Sequence, residues 1–293
     1  MSDIDDVDNE DKLVVPDALP LVDLLPRGYL SVSQVTQYMK CGKAYEYRYI
    51  QEIQIPRNSY MVQGTAVHSA AEKLHLGMMG VDAHDDPPLE YVESVYSDTL
   101  DQQLTSDVVI AEEDVDAGHI KDVGIDLTRH YYLGSTGKLA DPDTKVPYPR
   151  LKPTAVEKVI RTTIHPTDGS PIPFLAIIDL IDDGKVIADL KTKKKKSPES
   201  EAVNSLQLSL YAGIENIPDV RRDMLVKPGK KTPQRYFRTP HTRTAGEIAH
   251  ATDIASDVAE NIVLGRFPRT MPDNWWCTKD WCAYWGHCRG KKR

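Results

Sequence analysis

Apolar and polar positions follow different patterns in the two halves of the chain. In the first half, apolar residues recur every three or four positions, as on one face of a helix. From about Thr154 the period changes, and runs rich in β-branched residues between turn signals predict strands. The predicted helices cover residues 33–49, 65–77, 88–104, 120–134, 200–214 and 244–264, and the predicted strands cover 154–164, 172–181, 186–192, 222–227 and 234–239. Helices followed by strands with one inserted helix predict an α/β (α+β) fold.

Length and composition are those of a globular protein. The 293 residues are 40% apolar and 27% charged, enough for one large domain or two small ones with a substantial core. No apolar run approaches the roughly 20 residues that a membrane span needs, and the first residues are acidic where a signal peptide would be basic. We therefore expect no membrane partner and a cytoplasmic location. Residues 1–28, acidic and interrupted by prolines, are expected to form a flexible leader.

Charge is distributed unevenly along the chain. The net charge is −8, but residues 1–25 alone carry −7, and residues 78–117 contain acids and no lysine or arginine. Residues 185–243 carry a net charge of +8, and the last five residues add four positive charges. Such a basic region is either a solvated face or a surface that attracts phosphate groups.

The segment from Pro173 to Thr192 contains the candidate chemistry. Asp179 and Asp189 lie in apolar strands, where a carboxylate is costly unless a positive charge accompanies it. A divalent cation would supply that charge, because hard cations prefer carboxylate oxygen. Lys191 follows Asp189 by two residues, so both side chains point to the same face of a strand. Its ammonium group could orient an attacking water or offset charge on a phosphate.

The hairpin between the two aspartates allows two registers. A loop of residues 183–185 places Asp179 and Asp189 directly opposite one another, whereas a loop of residues 182–184 places them on a diagonal. Both loops bring the two carboxylates to one face. Without a metal, the two acids would be a turn residue and half of an exposed ion pair with Lys191.

Five short motifs, in order along the chain, resemble the RecB-type branch of the PD-(D/E)xK nuclease superfamily. They are Leu30-Ser31-Val32-Ser33 with the helix to Cys41 and Tyr45, then Gly64-Thr65-Ala66-Val67-His68, Asp179, Asp189-Leu190-Lys191, and Gln207 with Tyr211. One departure from the family pattern is Ile178, which stands where proline precedes the first aspartate. The resemblance covers nearly the whole chain after the leader. It implies a restriction-endonuclease-like core with a mixed central sheet flanked by helices.

The resemblance also implies roles for individual residues. The side chains of His68, Asp179 and Asp189 and the backbone carbonyl of Leu190 would hold Mg²⁺ or Mn²⁺, and Lys191 would position the attacking water. Gln207 and Tyr211, four apart on one helix face, would contact the DNA backbone or support the site. Glu157, on the first predicted strand, would serve a second metal or be exposed, and we expect it to be exposed.

Three of the four cysteines are too closely grouped for chance core packing. Cys277, Cys282 and Cys288 lie within twelve residues among four tryptophans, and Cys41 is the remaining candidate for a fourth ligand, with His287 as a substitute. Four thiolates could hold zinc or a four-iron cluster. The one-plus-three arrangement resembles the iron–sulfur subgroup of RecB-type nucleases, which includes the CRISPR-adaptation nuclease, the AddB nuclease domain and exonuclease V. That resemblance implies a [4Fe-4S] cluster that ties the C-terminal region to the N-terminal helix.

These features predict a metal-dependent DNA exonuclease acting on single-stranded ends, in recombination, repair or phage DNA processing. The basic residues expected to line the strand path are Lys193, Lys194, Lys195, Lys196, Lys230, Lys231, Arg235 and Arg238. The alternatives are a trimming nuclease or endonuclease, and a non-catalytic DNA-binding module. DNA is the expected partner, with a recombination or annealing protein as a further candidate. We expect one nuclease domain over 29–293, with a helical part (29–135), a catalytic sheet core (150–243) and a C-terminal helix and cysteine region (244–293).

Overall fold

A computed structural model describes residues 21–82, 84, 86–111 and 116–289. The helices are α1 Leu21–Leu24, α2 Val32–Lys40, α3 Gly42–Tyr45, the π-helical segment Glu46–Ile50, α4 Ser59–Met78, α5 Leu89–Gln103, α6 Ala117–Ser135, α7 Glu199–Val203, α8 Leu206–Glu215, α9 Ala245–Val263 and α10 Trp285–Cys288. The strands are β1 Leu30–Ser31, β2 Pro153–Ile164, β3 Ile172–Asp182, β4 Val186–Lys193, β5 Asp219–Val226 and β6 Arg235–Thr242. None of the helices in these ranges is long and apolar enough to cross a bilayer.

The strands form one mixed sheet with β3 near its centre. Along one edge β3 pairs antiparallel with β2 over nearly its full length. Along its other edge it pairs parallel with β1 at its beginning and antiparallel with β4 at its end. The sheet continues through β5, parallel to β4, and ends at β6. The mixed sheet confirms the predicted α/β class.

Helices cover both faces of the sheet. One apolar core joins α2, α8 and α9 to β3 through residues such as Val35, Ile178 and Leu208. The other joins α4, α5 and α6 to the sheet through residues such as Leu74 and Leu225. The result is three layers, with α4 on one side of the sheet and α8 on the other. Both helices carry motif residues.

Two predicted helices are interrupted in the structure. The helix predicted over 33–49 starts one residue earlier, after the N-cap Ser31, and breaks at Cys41, whose extended backbone separates α2 from α3. Here the backbone at Gly42 lies so close to Pro268 that a Cβ atom would come within 2.7 Å of the proline ring. The helix predicted over 200–214 divides between α7 and α8, because Ser205 caps a new helix by accepting from the backbone N–H of Leu208.

Two other predictions for the N-terminal half concern the start of the second helix and the leader. The predicted helix 65–77 begins six residues earlier, where the Asn58 side chain caps α4 by accepting from the backbone N–H of Met61. Residues 1–20 of the expected leader lie outside the described residues. In the remainder of that segment, Leu21–Leu24 form a helical turn and Leu25 is buried in the core with α2 and α9.

A buried polar network lies between β5 and the helices of the second core. The Arg221 guanidinium donates to both carboxylate oxygens of Asp223, at 2.7 and 3.2 Å, and to Asp182 at 2.9 Å. Nearby, His75 Nε2 lies 3.1 Å from the hydroxyl of Tyr131. Burial lowers the pKa of His75 to about 4, so its imidazole is neutral at physiological pH.

Replacing His75 by glutamine should change how stability depends on pH. The unfolded chain binds a proton at His75 below its ordinary pKa of 6.5, whereas the folded chain does so only near 4. Folding stability contributed by the neutral imidazole is therefore present above pH 6.5 and is lost as the pH falls toward 4, by about 3 kcal/mol. Urea unfolding from pH 4 to 7 would show a shallower acid dependence in His75→Gln. Parallel pH curves for the two proteins would contradict this assignment.

Candidate metal centre and cysteine cluster

The candidate site lies where β3 and β4 separate. Their antiparallel ladder runs from Asp182–Val186 to Leu180–Ala188 and ends there. The three-residue loop 183–185 is therefore the one that forms, and by register Asp179 stands opposite Asp189. In place of the next backbone contact, the Asp179 Oδ2 atom accepts a hydrogen bond from the backbone N–H of Leu190 at 3.0 Å. The first carboxylate is thus part of the join between the two strands.

The regular alternation of β3 is broken at the same point. Residues 172, 174, 176 and 178 face the core with α8, but so does Ile181, while Leu180 packs on the other face. Across the ladder, Glu157 of β2 stands opposite Asp179 and has a left-handed backbone with φ of 43°. Both strands therefore depart from regular geometry at the same pair of acids.

Three possible ligand atoms converge at this irregularity. One nitrogen of His68 and one carboxylate oxygen each from Glu157 and Asp179 lie within 4.8 Å of one another. His68 Nε2 is 3.0 Å from the carbonyl oxygen of Leu190. A carbonyl only accepts hydrogen bonds, so Nε2 is the donor in this contact, and Nδ1, which lies 3.7 Å from Asp179 Oδ2, is the nitrogen that faces the acids. Two carboxylates and an imidazole nitrogen are a donor set that suits a divalent cation.

The electrostatics of the group favour a bound cation. Burial raises the pKa of Asp179 above its ordinary value, and the Asp189 carboxylate adds to the effect. Burial and the Asp179 carboxylate raise the pKa of Glu157 to about 7, with a smaller contribution from Glu72 and an opposing one from Lys191. Each shift means that the negative form of these acids is disfavoured when no cation accompanies them.

Asp189 lies outside this three-residue group. Its carboxylate is almost fully buried, with the Lys191 ammonium 2.7 Å from Oδ1 and the Arg222 guanidinium 3.2 Å from Oδ2. No hydrogen bond reaches Oδ2 within the described part of the chain.

The sequence predicts Asp189 as a ligand and Glu157 as an exposed residue. The latter expectation is wrong, because Glu157 is half-buried and takes the position beside His68 and Asp179.

The Gln-x-x-x-Tyr pair approaches from α8, on the opposite layer from His68. The Gln207 side-chain amide donates to the Tyr211 hydroxyl at 3.4 Å. Burial raises the pKa of Tyr211, and the carboxylates of Asp179 and Asp189 raise it further. Tyr211 is therefore a neutral phenol close to both acids, and the Gln207 amide is hydrogen-bonded to it.

Comparison with known proteins identifies the family. The family model of the PD-(D/E)XK nuclease superfamily matches residues 29–289. This chain belongs to that superfamily. Among solved structures it is similar to a candidate exonuclease from Eubacterium rectale, with a TM-score of 0.52, 13% sequence identity and 90% of each chain covered. A second, SSO0001, has 14% identity and a TM-score of 0.32 over 47% of this chain and 61% of its own. No functionally curated protein matches the chain.

Two charged residues close to the site of this PD-(D/E)XK protein, Glu72 and Arg222, lie outside its sequence motifs. Glu72 is four residues after His68 on α4, so the two share a helix face, and this spacing was the available signal. Arg222 pairs with Asp189 because β4 and β5 are parallel with these two residues in register. No local pattern indicates that register, since residues 189 and 222 are far apart in the sequence.

The basic residues predicted to line a DNA path occupy different environments. Lys194, Lys195, Lys196, Lys230 and Lys231 are exposed, whereas Lys193 and Arg235 are half-buried. The Lys193 ammonium is paired with Glu201 at 2.8 Å. Arg238 points inward and donates to the Tyr236 hydroxyl and to the carbonyls of Pro149 and Gly134, each at 2.9 Å. The Arg238 guanidinium therefore holds α6 against β6 and does not face a path for a DNA strand.

The four cysteines surround one cavity of about 150 Å³ in this member of the superfamily. Cys41 ends α2, and Cys277, Cys282 and Cys288 belong to the C-terminal segment. Burial raises the pKa of the Cys282 thiol, and the other three thiols raise it further, which places all four close together. The segment is also attached by the Trp276 indole, which donates to the carbonyl of Lys40 at 3.1 Å.

Four thiols around one cavity are a donor set for two kinds of metal site. A single zinc ion binds four thiolates at about 2.3 Å. A four-iron cluster also takes four thiolates, each on a different iron.

Proposed function

We propose that this protein is a metal-dependent DNA exonuclease that degrades single-stranded ends. The observation that carries the proposal is the convergence of His68, Glu157 and Asp179 where β3 and β4 separate, with Lys191 beside them. Membership in the nuclease superfamily supports a hydrolytic reaction on phosphodiester bonds. The basic balance of residues 185–243 supports a nucleic acid as substrate.

His68, Glu157 and Asp179 would hold a Mg²⁺ or Mn²⁺ ion. Asp189, assigned to the same centre by the resemblance, would add Oδ2, which is ion-paired with Arg222 at 3.2 Å and has no hydrogen bond among the described residues. The Leu190 carbonyl would join them only by exchanging its contact with His68 Nε2. A metal bound here would polarise the phosphodiester and make a bound water more acidic.

The remaining side chains would prepare the reacting groups. The Lys191 ammonium, one-third exposed, lies where it could orient a water or offset charge on the phosphate oxygens. Arg222 is held by the Ser205 hydroxyl at 2.7 Å and keeps the Asp189 carboxylate in place. The neutral Tyr211 phenol closes the site from α8. These contacts fix the acids and the lysine before a substrate arrives, which lowers the cost of reaching the reactive geometry.

Replacing Glu157 by glutamine should weaken metal binding without altering the shape of the site. The substitution removes one of three converging donors and its negative charge, so we expect the affinity for Mn²⁺ to fall by at least about tenfold. Isothermal titration with Mn²⁺ measures this directly. Glu72→Gln is the matched control, because Glu72 lies near the group but outside it. Equal affinities of the Glu157→Gln and Glu72→Gln proteins would remove Glu157 from the ligand set.

We further propose that Cys41, Cys277, Cys282 and Cys288 hold a [4Fe-4S] cluster. The cavity that all four cysteines line and their one-plus-three arrangement along the chain support this choice. The cluster would act as a cross-link, joining the end of α2 to a segment more than 230 residues later in the chain. Because the unfolded chain has no preformed site, the free energy of coordination would add to that of folding.

Digestion of labelled DNA tests the proposed activity. We expect single-stranded linear DNA labelled at one end to be shortened progressively in the presence of Mg²⁺ or Mn²⁺, and single-stranded circles to resist. A chelator should abolish the reaction. Cleavage of circles would show an endonuclease instead, and binding of DNA without cleavage of any substrate would favour the non-catalytic module.

A further inference from the structure

A second cleft, of about 550 Å³, lies beside the candidate metal centre. Its lining contains one aromatic ring, one imidazole and three lysines, namely Tyr60, His119, Lys194, Lys227 and Lys230. Tyr60 is in the first turn of α4 and His119 in the first turn of α6. Lys194 directly follows β4, Lys227 directly follows β5, and Lys230 lies three residues further along the same loop. Four separate parts of the fold therefore meet at this cleft.

Two contacts define the direction from the metal centre to the cleft. At one end, His68 of α4 touches Leu190 of β4. At the other, the Lys194 ammonium lies 4.7 Å from the centre of the Tyr60 ring. The helix therefore runs antiparallel to the strand. Lys194 is three residues beyond Lys191, about 10 Å along a strand, and Tyr60 is eight residues before His68, about 12 Å along a helix.

The cleft has the chemistry of a phosphate site. The ammonium groups of Lys194 and Lys227 both approach the Tyr60 ring, at 4.7 and 4.5 Å, so two positive charges are held at one aromatic side chain. The Tyr60 hydroxyl is buried and lacks a hydrogen-bond partner in the described ranges. The beginning of a 20-residue helix adds a partial positive charge at the same place. A phosphate group would accept from the hydroxyl and interact with the cations.

We propose that this cleft binds a phosphate of the substrate strand about 10 Å from the scissile bond. The inference rests on the proposed function for its substrate, and it assigns Tyr60, Lys227 and His119 to the strand path in addition to the basic residues expected from the sequence. The phosphate has two possible sources, an internal phosphodiester or a terminal phosphate. If the phosphate is internal, the cleft guides the strand along the protein. If it is terminal, the cleft recognises the end of the strand.

Binding without cleavage tests this subsite. The probes are fluorescent single-stranded oligonucleotides with a terminal phosphate or a terminal hydroxyl, and a single-stranded circle, each titrated with the full chain in a chelator. We expect Lys194→Ala and Lys230→Ala each to weaken binding several-fold and to reduce the salt slope by about 0.7. Both lysines are exposed, so the fold should tolerate the changes. Tyr60→Phe, which removes only the hydroxyl, should also weaken binding. Lys185→Ala removes the same charge from the far end of β4 and should bind as wild type.

The three probes distinguish the two sources of phosphate. If the phosphate is internal, the lysine variants lose affinity for all three probes alike. If it is terminal, wild type prefers the phosphorylated end, and the variants lose that preference alone. The inference is overturned if both lysine variants bind every probe as tightly as Lys185→Ala does. Loss of binding in these variants, together with no cleavage by wild type in Mg²⁺ or Mn²⁺, would overturn the proposed nuclease activity and leave the subsite standing.

Discussion

Replacing Lys191 by alanine is expected to slow DNA cleavage by about a hundredfold to a thousandfold while the protein still binds Mn²⁺. The Lys191 ammonium opposes the rise in the pKa of both Glu157 and Asp179, and we propose that it orients a water or offsets charge on a phosphate. Removing one preorganised charge from a site of this kind has an effect of that size. Initial rates on end-labelled single-stranded DNA at saturating Mn²⁺ would measure it.

The neighbouring acid needs a more conservative substitution. Asp189 is almost fully buried between Lys191 and Arg222, so Asp189→Ala would leave a buried guanidinium without its partner and destabilise the fold. Asp189→Asn preserves the shape and removes the charge. Lys185→Ala serves as the control for charge, since Lys185 lies in the exposed hairpin loop. Cleavage by Lys191→Ala at the wild-type rate would exclude Lys191 from the reaction.

The second large effect is expected from Cys41→Ser. Losing one of the four proposed thiolate ligands should release iron from anaerobically purified protein and lower the melting temperature, because the proposed cross-link between α2 and the C-terminal segment is lost. Closing so long a loop stabilises a fold by several kcal/mol in the chain-entropy model of cross-links. Iron content, visible absorbance and thermal unfolding would be compared with those of wild type.

A control variant that keeps all four cysteines distinguishes the loss of the cluster from the loss of ordinary packing contacts. The Tyr38 hydroxyl donates to the carbonyl of Arg266, and the Tyr38 ring packs against Phe267. Tyr38→Phe removes that hydrogen bond between α2 and the same C-terminal region, and it should keep the iron and most of the stability. Stoichiometric zinc without iron in the anaerobic wild-type protein would contradict the cluster and leave the carboxylate site unaffected.

The parts of the site that local sequence could predict are those set by strand alternation and short turns. The β3–β4 hairpin is an example, since both aspartates and Lys191 follow from one loop and the two-residue period of a strand. Helix boundaries were less predictable where a distant segment intervened. Cys41 interrupts a continuous apolar pattern because Pro268 occupies the space next to Gly42, and nothing near residue 41 indicates that contact.

The residues that sequence reasoning misplaced depend on tertiary geometry. Glu157 looks like one polar position of an edge strand, and only the simultaneous irregularity of β2 and β3 turns it toward Asp179. Arg238 looks like part of a basic surface, but the structure directs it to backbone carbonyls near α6. In both cases the residue type was informative about charge, and the surrounding fold decided what the charge faces.

The left-handed backbone of Glu157 affects which substitutions at this position would stabilise the protein. A side chain in that conformation costs on the order of 1 kcal/mol, which a glycine would avoid. Burial beside another carboxylate adds a second penalty. Selection for thermal robustness alone would therefore remove this glutamate, and its retention would require selection for what it binds. With the proposed ligand role, stability and activity favour different amino acids at position 157, so a stabilised variant of this protein should be checked there first.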